Sequence, residues 1–260
     1  LDGEGHLLGE LFDDCGTLTT EVTLTDVSAT GGMIIESFSV RCRLGAREVY
    51  RLETVFGFFP PATLAAQAGL RTDAASLELF DRESNILIDL SVAPSDYFNT
   101  QRPSLANGML LMLDRVDGHW PTAGAAGLGQ LRAVKDIDCS EWFFKAHFFQ
   151  DPVQPGSLGI EAMLQALQFH MLHTGMDAGL TNARFEPIAL ERPHRWKYRG
   201  QVLPKHSKVH TTLEIIETGN DTRGVYALAN ASLWADGQRI YELNGLGMRI
   251  VGGTTKLRAN

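Results

Sequence analysis

The chain has 260 residues, of which 44% are hydrophobic and 21% are charged, and these proportions are typical of a folded protein rather than a disordered one. Its formal net charge of -8 argues against strong binding to nucleic acids or anionic membranes. No apolar run approaches the roughly 20 residues that a membrane-spanning helix needs. The three cysteines lie far apart without a CxxC pair, which indicates reduced thiols and predicts a cytoplasmic location.

The first 60 residues predict β-structure. Three segments alternate between apolar and polar residues and are separated by Gly-containing turns, a pattern typical of antiparallel strands. These segments are 17–27, 33–44 and 48–59. Pro60 and Pro61 end the run. In residues 61–102 an Ala-rich stretch predicts a short helix, residues 85–90 predict a strand, and a polar stretch with two prolines predicts a linker.

The second half contains the strongest helix signal in the chain. Residues 158–176 are mainly good helix formers and are apolar on nearly every face, which predicts a buried helix ending near Gly175. Before it, the sequence predicts a short helix and a strand over 107–119, a strand within 124–138, and a strand in the aromatic run 142–149. Four alternating segments after the helix predict antiparallel strands. They cover 195–203, 208–217, 224–235 and 239–251.

A long helix followed by four antiparallel strands predicts an α+β fold in which a sheet wraps around a helix. The two halves are also similar, because Tyr50 and Leu52 recur 191 residues later as Tyr241 and Leu243. The first half has no counterpart of the long helix, and the chain does not begin with Met, so we expect part of a longer protein. The sequence therefore predicts four parts. Residues 1–60 form the strand half of a degenerate copy, and residues 61–102 are a connecting segment and linker. Residues 103–251 form a complete unit, and residues 252–260 are a tail.

The residues best suited to catalysis lie between the aromatic run and the long helix. Glu161 lies one turn into the helix among apolar neighbours, where an ionised carboxylate is costly, although a solvated position at the helix start is an equally good interpretation. A lone histidine such as His147 is more often structural than catalytic. Gly156 leaves backbone N–H groups free at the helix start, as an oxyanion hole requires. These three residues form a catalytic constellation if they converge.

The segment HFFQDPVQPGSLGIEAMLQ, residues 147–165, resembles the active-site motif of the hot-dog-fold β-hydroxyacyl acyl-carrier-protein dehydratases, and in particular their β-hydroxydecanoyl branch. NGMLLMLDRV, YRGQVLP and DGQRIYELNGLGMRI resemble the same family, so the resemblance covers residues 103–251. Together with the degenerate first copy, the chain is most similar to the dehydratase regions of polyunsaturated-fatty-acid and polyketide synthases. The resemblance implies a double hot dog, an antiparallel sheet wrapped around a long central helix, with an incomplete first copy.

The resemblance implies roles for individual residues. His147 matches the catalytic histidine of the family, Glu161 matches its catalytic acid, and Gly156 matches the glycine whose N–H binds the thioester oxygen. Gln165 matches the glutamine that hydrogen-bonds the acid, and the spacing of four residues places it on the same helix face as Glu161.

Two positions depart from the isomerase branch of the family. Glu161 stands where that branch has Asp, as in the plain dehydratases, and Ser157 stands where it has Cys. These differences leave open whether a 2-trans to 3-cis isomerisation accompanies dehydration. Asp151 and Pro155 of the same motif are expected to support the site.

The resemblance implies dehydration of a 3-hydroxyacyl thioester to a trans-2-enoyl thioester, with His147 as base, Glu161 as acid, and no metal or redox cofactor. The substrate would arrive on the phosphopantetheine of an acyl carrier protein, beside other domains of a multienzyme synthase. In this family the two catalytic residues of one site come from different hot dogs, whereas both lie here in the second copy. We therefore expect a homodimer. A partner from the missing front of the first copy, or a site within one copy, stays open.

Other interpretations of the sequence are a hot-dog thioesterase, which would not need this motif, and a non-catalytic docking or structural module, which fits the first half better than the second. His170 and His173 lie three residues apart on the helix and offer at most half of a metal site. The alternating residues Arg195, Lys197 and Arg199 predict either a solvated sheet face or a docking patch for an acidic carrier protein.

Overall fold

A computed structural model describes residues 1–252, so the predicted tail at 252–260 lies outside the described residues except for Gly252. The strands are β1 (Asp2–Leu7), β2 (Leu18–Thr30), β3 (Met33–Leu44), β4 (Arg47–Phe58), β5 (Ile88–Asp89), β6 (Arg115–Trp120), β7 (Gln130–Asp136), β8 (Arg184–Phe185), β9 (Pro193–Tyr198), β10 (Lys208–Asn220), β11 (Gly224–Ala235) and β12 (Gln238–Val251). The helices are α1 (Pro61–Ala65), α2 (Ala74–Asp81), α3 (Trp142–Ala146) and α4 (Gly156–His173), and a 3-10 turn covers Gly108–Leu110.

These strands form one antiparallel sheet. Its order is β2-β3-β4-β1-β9-β12-β11-β10-β7-β6-β5, with β8 beside β12. The second half of the sheet packs around α4, which contacts β7, β10, β11 and β12. This is the α+β hot dog arrangement that the sequence predicts, with both halves of the chain in the same sheet.

Helix α4 is the centre of the hydrophobic core. It has 18 residues, and twelve of them are buried, including Met163, Leu167 and Phe169, which have no exposed surface. A helix that is apolar on nearly every face is stable only when other elements enclose it. The predicted buried helix over 158–176 is therefore confirmed, and Gly175 follows its end in a left-handed conformation with φ +71°.

The internal repeat seen in the sequence is also present in the structure, in the positions at which strands begin and in the position of a β-bulge. β9, β11 and β12 begin at residues 193, 224 and 238, each 191 residues after the starts of β1, β3 and β4 at 2, 33 and 47. A β-bulge between Leu24 and Asp26 in β2 recurs between Ile215 and Glu217 in β10. Because bulges are local features that sequence and packing fix, their recurrence supports a duplicated unit.

Strand β1 joins the two halves and was not predicted from the sequence. It pairs with β4 on one side and with β9 on the other, so that Glu4 lies opposite Arg195. Its glycines are required by this close approach: a Cβ at Gly3 would overlap the ring of Trp196, and one at Gly5 would lie 2.5 Å from His194 Nε2. The sequence predicts its first strand only from residue 17, because residues 2–7 contain two glycines and show little alternation of apolar and polar residues.

The aromatic run before His147 is a helix, so its prediction as a strand was wrong. Phe143 and Phe144 of α3 are adjacent and both buried, whereas successive residues of a strand point to opposite faces. The backbone N–H of His147 closes α3 by donating to the carbonyl oxygen of Phe143 at 2.9 Å.

Much of residues 61–102, predicted as a connecting segment and linker, packs on the second unit. Phe80 of α2 stacks on Trp234 with ring centroids 4.5 Å apart, and Leu90 and Tyr97 belong to the core that encloses α4. The predicted strand over 85–90 is reduced to the two residues of β5. Among the described residues, no helix is both long and apolar enough to cross a membrane.

Candidate active site

The loop before α4 ends at an open helix N-terminus. Pro155 is the N-cap and carries no side-chain hydrogen-bond acceptor, so no side chain caps the N–H groups of Gly156 and Ser157. The next N–H, that of Leu158, donates to the carbonyl oxygen of Pro155 at 3.0 Å. Gly156 is the first helical residue, and a Cβ built on it would meet nothing within 4 Å. Ser157 beside it is exposed. A helix N-terminus with accessible N–H groups attracts a partially negative oxygen.

His147 is held in one tautomer. It follows α3 directly, it is half-buried, and its Nδ1 lies 2.9 Å from the carbonyl oxygen of Val153. Because a carbonyl oxygen only accepts hydrogen bonds, Nδ1 carries the proton and Nε2 keeps a lone pair. The N–H of Val153 in turn donates to the carbonyl oxygen of His147 at 2.9 Å, so the two residues clamp each other. This arrangement presents Nε2 as a proton acceptor.

The turn between His147 and Val153 is formed mainly by backbone hydrogen bonds. Phe148 and Asp151 exchange both of their N–H to carbonyl hydrogen bonds, at 3.0 and 3.2 Å. Asp151 itself is exposed, so it contributes to the turn through its backbone. Phe149 is 89% exposed, and the neighbouring Phe148 is also largely exposed. An apolar patch therefore lies immediately beside the candidate base.

Glu161 is positioned by Gln165 one helical turn further on. Gln165 Nε2 donates to Glu161 Oε1 at 2.7 Å and to the carbonyl oxygen of Leu110 at 2.7 Å. Gln165 Oε1 accepts from the N–H of Met112 at 2.8 Å. Gln165 is fully buried, whereas Glu161 is half-buried. The amide is thus fixed on three sides and holds one oxygen of the carboxyl group in place.

One face of α4 leads from the surface to this buried amide. Ser157, Glu161 and Gln165 are spaced by four residues and are exposed, half-buried and buried in turn. Gly159 lies against the sheet, where a Cβ would come within 3.0 Å of the Tyr241 ring, so glycine lets α4 pack closely on β12. Burial raises the pKa of Tyr241, which keeps its phenol protonated there.

The structure brings together some of the predicted site residues. Glu161 and Gln165 are in contact, and Gly156 precedes Glu161 by five residues, or about 7.5 Å along the helix axis. His147 is joined to the loop before α4 by the hydrogen bond from its Nδ1 to the carbonyl oxygen of Val153. No hydrogen bond joins His147 to Glu161 within residues 1–252 of one chain.

The sequence did not identify the groups that hold Gln165. These are the backbone carbonyl of Leu110 and the backbone N–H of Met112, which lie more than fifty residues earlier in the chain. The available signal was Gln165 itself, because a buried amide within an apolar helix must find hydrogen-bond partners.

The other end of α4 carries a histidine cluster. His119 Nε2 lies 3.2 Å from His170 Nδ1, and the Tyr97 hydroxyl lies 2.7 Å from His173 Nδ1. Burial lowers the pKa of both His119 and His170 to about 4, so both are neutral near pH 7. No group of three or more His, Cys, Asp or Glu residues within 1–252 is arranged to hold a metal ion. His170 and His173, the pair predicted as at most half of a metal site, pack against the rings of His119 and Tyr97 at this end of α4.

The basic stripe of β9 is paired with acidic residues of neighbouring strands. Arg195 lies 2.5 Å from Glu4 and Arg199 lies 2.5 Å from Asp2. Lys197 contacts Glu242 at 3.2 Å. These pairs neutralise the stripe, which favours the interpretation as a solvated sheet face over that of a docking patch for an acidic protein.

Comparisons with known proteins agree with this fold. The model of the FabA-like domain family matches residues 105–244, more than half of the chain. A polyunsaturated fatty acid synthase polypeptide of Thraustochytrium sp. (strain ATCC 26185 / S-3) is 30% identical over 97% of this chain, which spans only 18% of that protein.

Two solved structures share the fold over 96% of this chain. They are the dehydratase domain from the CurJ module of the curacin polyketide synthase, with TM-score 0.54, 11% identity and 76% of that chain covered, and a putative thioesterase II from Thermobifida fusca YX, with TM-score 0.50, 13% identity and 77% covered. They support the double hot dog fold. One is a dehydratase and the other a putative thioesterase, so the fold alone does not identify a reaction.

Proposed function

Because the chain belongs to the FabA-like domain family, we propose that it removes water from 3-hydroxyacyl thioesters and leaves trans-2-enoyl thioesters. The observation that carries this proposal is a base and an acid flanking an open helix N-terminus: His147 with a free Nε2, and Glu161 held by Gln165. Dehydration needs a proton acceptor at C2, a proton donor at the C3 hydroxyl and a donor to the thioester oxygen. It needs no change of oxidation state.

In the proposed reaction His147 Nε2 removes the proton from C2 of the acyl chain. The electron pair of the C2–H bond forms the C2–C3 double bond as the C3–O bond breaks, and the hydroxyl leaves as water with a proton from Glu161. Negative charge that develops on the thioester oxygen is stabilised by the N–H of Gly156. His147 ends protonated and Glu161 ends deprotonated, so a proton must return from the histidine to the carboxylate through solvent before the next turnover.

The supporting residues have distinct tasks in this proposal. Gln165 donates to Glu161 Oε1, which leaves Oε2 to carry the proton that the hydroxyl receives. Pro155 starts α4 without an N–H of its own, so the first N–H of the helix belongs to Gly156. Asp151 closes the turn that follows His147 through its backbone. The reaction needs no metal or redox cofactor. The proposal does not include isomerisation of the product, because Glu161 stands where the isomerase branch of the family has Asp.

We propose further that the substrate is carried on the phosphopantetheine of an acyl carrier protein and that the chain works among other domains of a multienzyme synthase. The fatty acid synthase relative, of which the chain spans less than a fifth, supports this context. The three free cysteines support a reducing compartment, and so a cytoplasmic location. Residues 103–251 form the catalytic unit in this proposal.

A homodimer that pairs His147 of one chain with Glu161 of another is also part of the proposal. Its support is the apolar patch beside the site, because Met109, Leu110, Phe148 and Phe149 are 48–89% exposed. Clustered exposed apolar side chains of this kind mark interaction surfaces. Phe148 and Phe149 belong to the His147 turn, and the carbonyl oxygen of Leu110 accepts a hydrogen bond from Gln165, the residue that holds Glu161. A second chain placed over these side chains would therefore lie near both proposed catalytic residues.

The proposal is tested by hydration of a crotonyl thioester, the reverse reaction, with wild-type protein and two variants. We expect His147→Ala and Glu161→Gln each to lower kcat by at least about 100-fold, the usual contribution of a general acid or base. Glu78→Gln is a matched control, because Glu78 is an exposed carboxylate on α2. Rates near wild type in both site variants would disprove the proposed roles.

A further inference from the structure

The 3-10 turn that fixes the Gln165 amide has little burial of its own. Gln165 Nε2 donates to the carbonyl oxygen of Leu110, which follows Met109 in this turn. Met109 is 61% exposed, Leu110 is 48% exposed, and the turn contains no buried residue. Gly108 adopts a left-handed φ of +59°, and Asn107 supplies no side-chain cap. Because so little apolar surface is buried here, the position of the turn depends on its hydrogen bonds to other elements.

Within residues 1–252, only two side chains outside the turn donate hydrogen bonds to it. One is Gln165, and the other is Trp142, whose indole Nε1 donates to the carbonyl oxygen of Met109 at 2.8 Å. An indole N–H can only donate, and this distance is typical of a well-formed N–H to oxygen hydrogen bond. Trp142 is half-buried and packs against the core around α4. The turn is therefore fixed by Trp142 on one side and by Gln165 on the other.

Trp142 is the first residue of α3, the helix that leads directly into His147. Phe143 and Phe144 are buried and anchor α3 in the core around α4. The N–H of His147 donates to the carbonyl oxygen of Phe143, so the proposed base is attached to this anchored helix. The indole hydrogen bond thus joins the helix that leads to the proposed base to the turn that fixes the amide beside the proposed acid.

We propose that Trp142 is a positioning residue for the dehydration, and that it acts through the turn and Gln165 on Glu161. Trp142 Nε1 bonds to Met109, and Leu110 is the next residue. Gln165 Nε2 then joins Leu110 to Glu161, with hydrogen bonds of 2.7 Å to both. Without the indole N–H the turn can shift, and a general acid that leaves hydrogen-bond reach of the hydroxyl transfers its proton more slowly. This inference rests on the proposed function.

The test compares the wild-type protein with Trp142→Phe, which keeps an aromatic ring but removes the N–H. In crotonyl-thioester hydration we expect kcat to fall about 3- to 10-fold, the range that corresponds to the loss of one neutral hydrogen bond, while KM changes less than twofold. In a Gln165→Leu background the same substitution should change kcat less than twofold, because the link to Glu161 is already absent. Lys145→Gln, at an exposed position of α3, is the control and should change kcat less than twofold in both backgrounds.

Amide hydrogen exchange gives a second readout that does not depend on catalysis. The N–H of Met112 donates to Gln165 Oε1 at 2.8 Å, so its exchange, followed by NMR, should become about 3- to 10-fold faster in Trp142→Phe and stay unchanged in Lys145→Gln. Circular dichroism shows that both variants fold.

Three results would overturn the role of Trp142. They are an equal loss of kcat from Trp142→Phe in the wild-type and Gln165→Leu backgrounds, an effect on KM alone, and unchanged exchange at Met112. Each of them leaves the dehydratase proposal intact if the wild-type protein is active. Absence of thioester hydration by the wild-type protein would instead refute the dehydratase proposal itself.

Discussion

Replacing Gln165 by leucine should destabilise the protein and slow the proposed reaction. The substitution keeps a side chain of similar size in a fully buried position but removes three hydrogen bonds. The N–H of Met112 would lose its acceptor, and Met112 is only 2% exposed, so this group alone costs about 1–3 kcal/mol. The carbonyl oxygen of Leu110 would lose its hydrogen-bond donor as well, but Leu110 is exposed, so water can replace that donor and the loss of stability is smaller. We expect a total loss of about 2–4 kcal/mol in the free energy of unfolding.

The same substitution frees Glu161 from the amide that orients it. Because Gln165 touches Glu161 and not the substrate, kcat should fall while KM changes little. Urea unfolding followed by circular dichroism measures the stability, and crotonyl-thioester hydration measures the rate. Gln168→Leu is the matched control, since Gln168 is half-buried on the same helix and its side chain makes, within residues 1–252, one long hydrogen bond, to the Met248 sulfur at 3.9 Å. A loss of stability no larger for Gln165→Leu than for Gln168→Leu would refute this reasoning.

Two further predictions concern pH and assembly. Burial lowers the pKa of His119, His170 and His194 to about 4, whereas an unfolded histidine titrates near 6.5, so between these values the unfolded chain binds more protons than the folded one. The contribution of these histidines to the free energy of unfolding should therefore be fully present above about pH 6.5 and be lost as the pH falls towards 4. Equal urea midpoints at pH 7.5 and pH 5 would contradict this prediction. If His147 of one chain works with Glu161 of another, a mixture of inactive His147→Ala and Glu161→Gln chains should regain activity through hybrid dimers. A strict monomer with full activity in sedimentation would exclude the dimer.

The parts of the fold that could be predicted are those with dense local signals. α4 is apolar on nearly every face and ends near Gly175, and β9–β12 alternate between apolar and polar residues, so each could be located without knowledge of its neighbours. β1 could not be predicted, because Gly3 and Gly5 are explained only by Trp196 and His194 on the paired strand. Segments whose structure depends on a distant partner leave little local pattern.

The candidate site also contains some contacts that a local sequence pattern predicts and others that depend on distant residues. The spacing of four residues between Glu161 and Gln165 predicts a contact on one helix face, and the hydrogen bond between them is present. The groups that fix Gln165 come from Leu110 and Met112, and no spacing rule connects them to α4. The contact between His119 and His170 could not be predicted either, because only folding brings His119 Nε2 to 3.2 Å from His170 Nδ1.

The central claim is that the chain eliminates water and leaves the thioester intact. Mass spectrometry of a 3-hydroxyacyl acyl carrier protein after incubation with the chain tests this most directly. We predict that the acyl group loses one water, stays attached to the carrier and yields a trans-2-enoyl product, and that His147→Ala abolishes the change. Release of a free 3-hydroxy acid with unmodified carrier, which is the product of a thioesterase, would contradict the account.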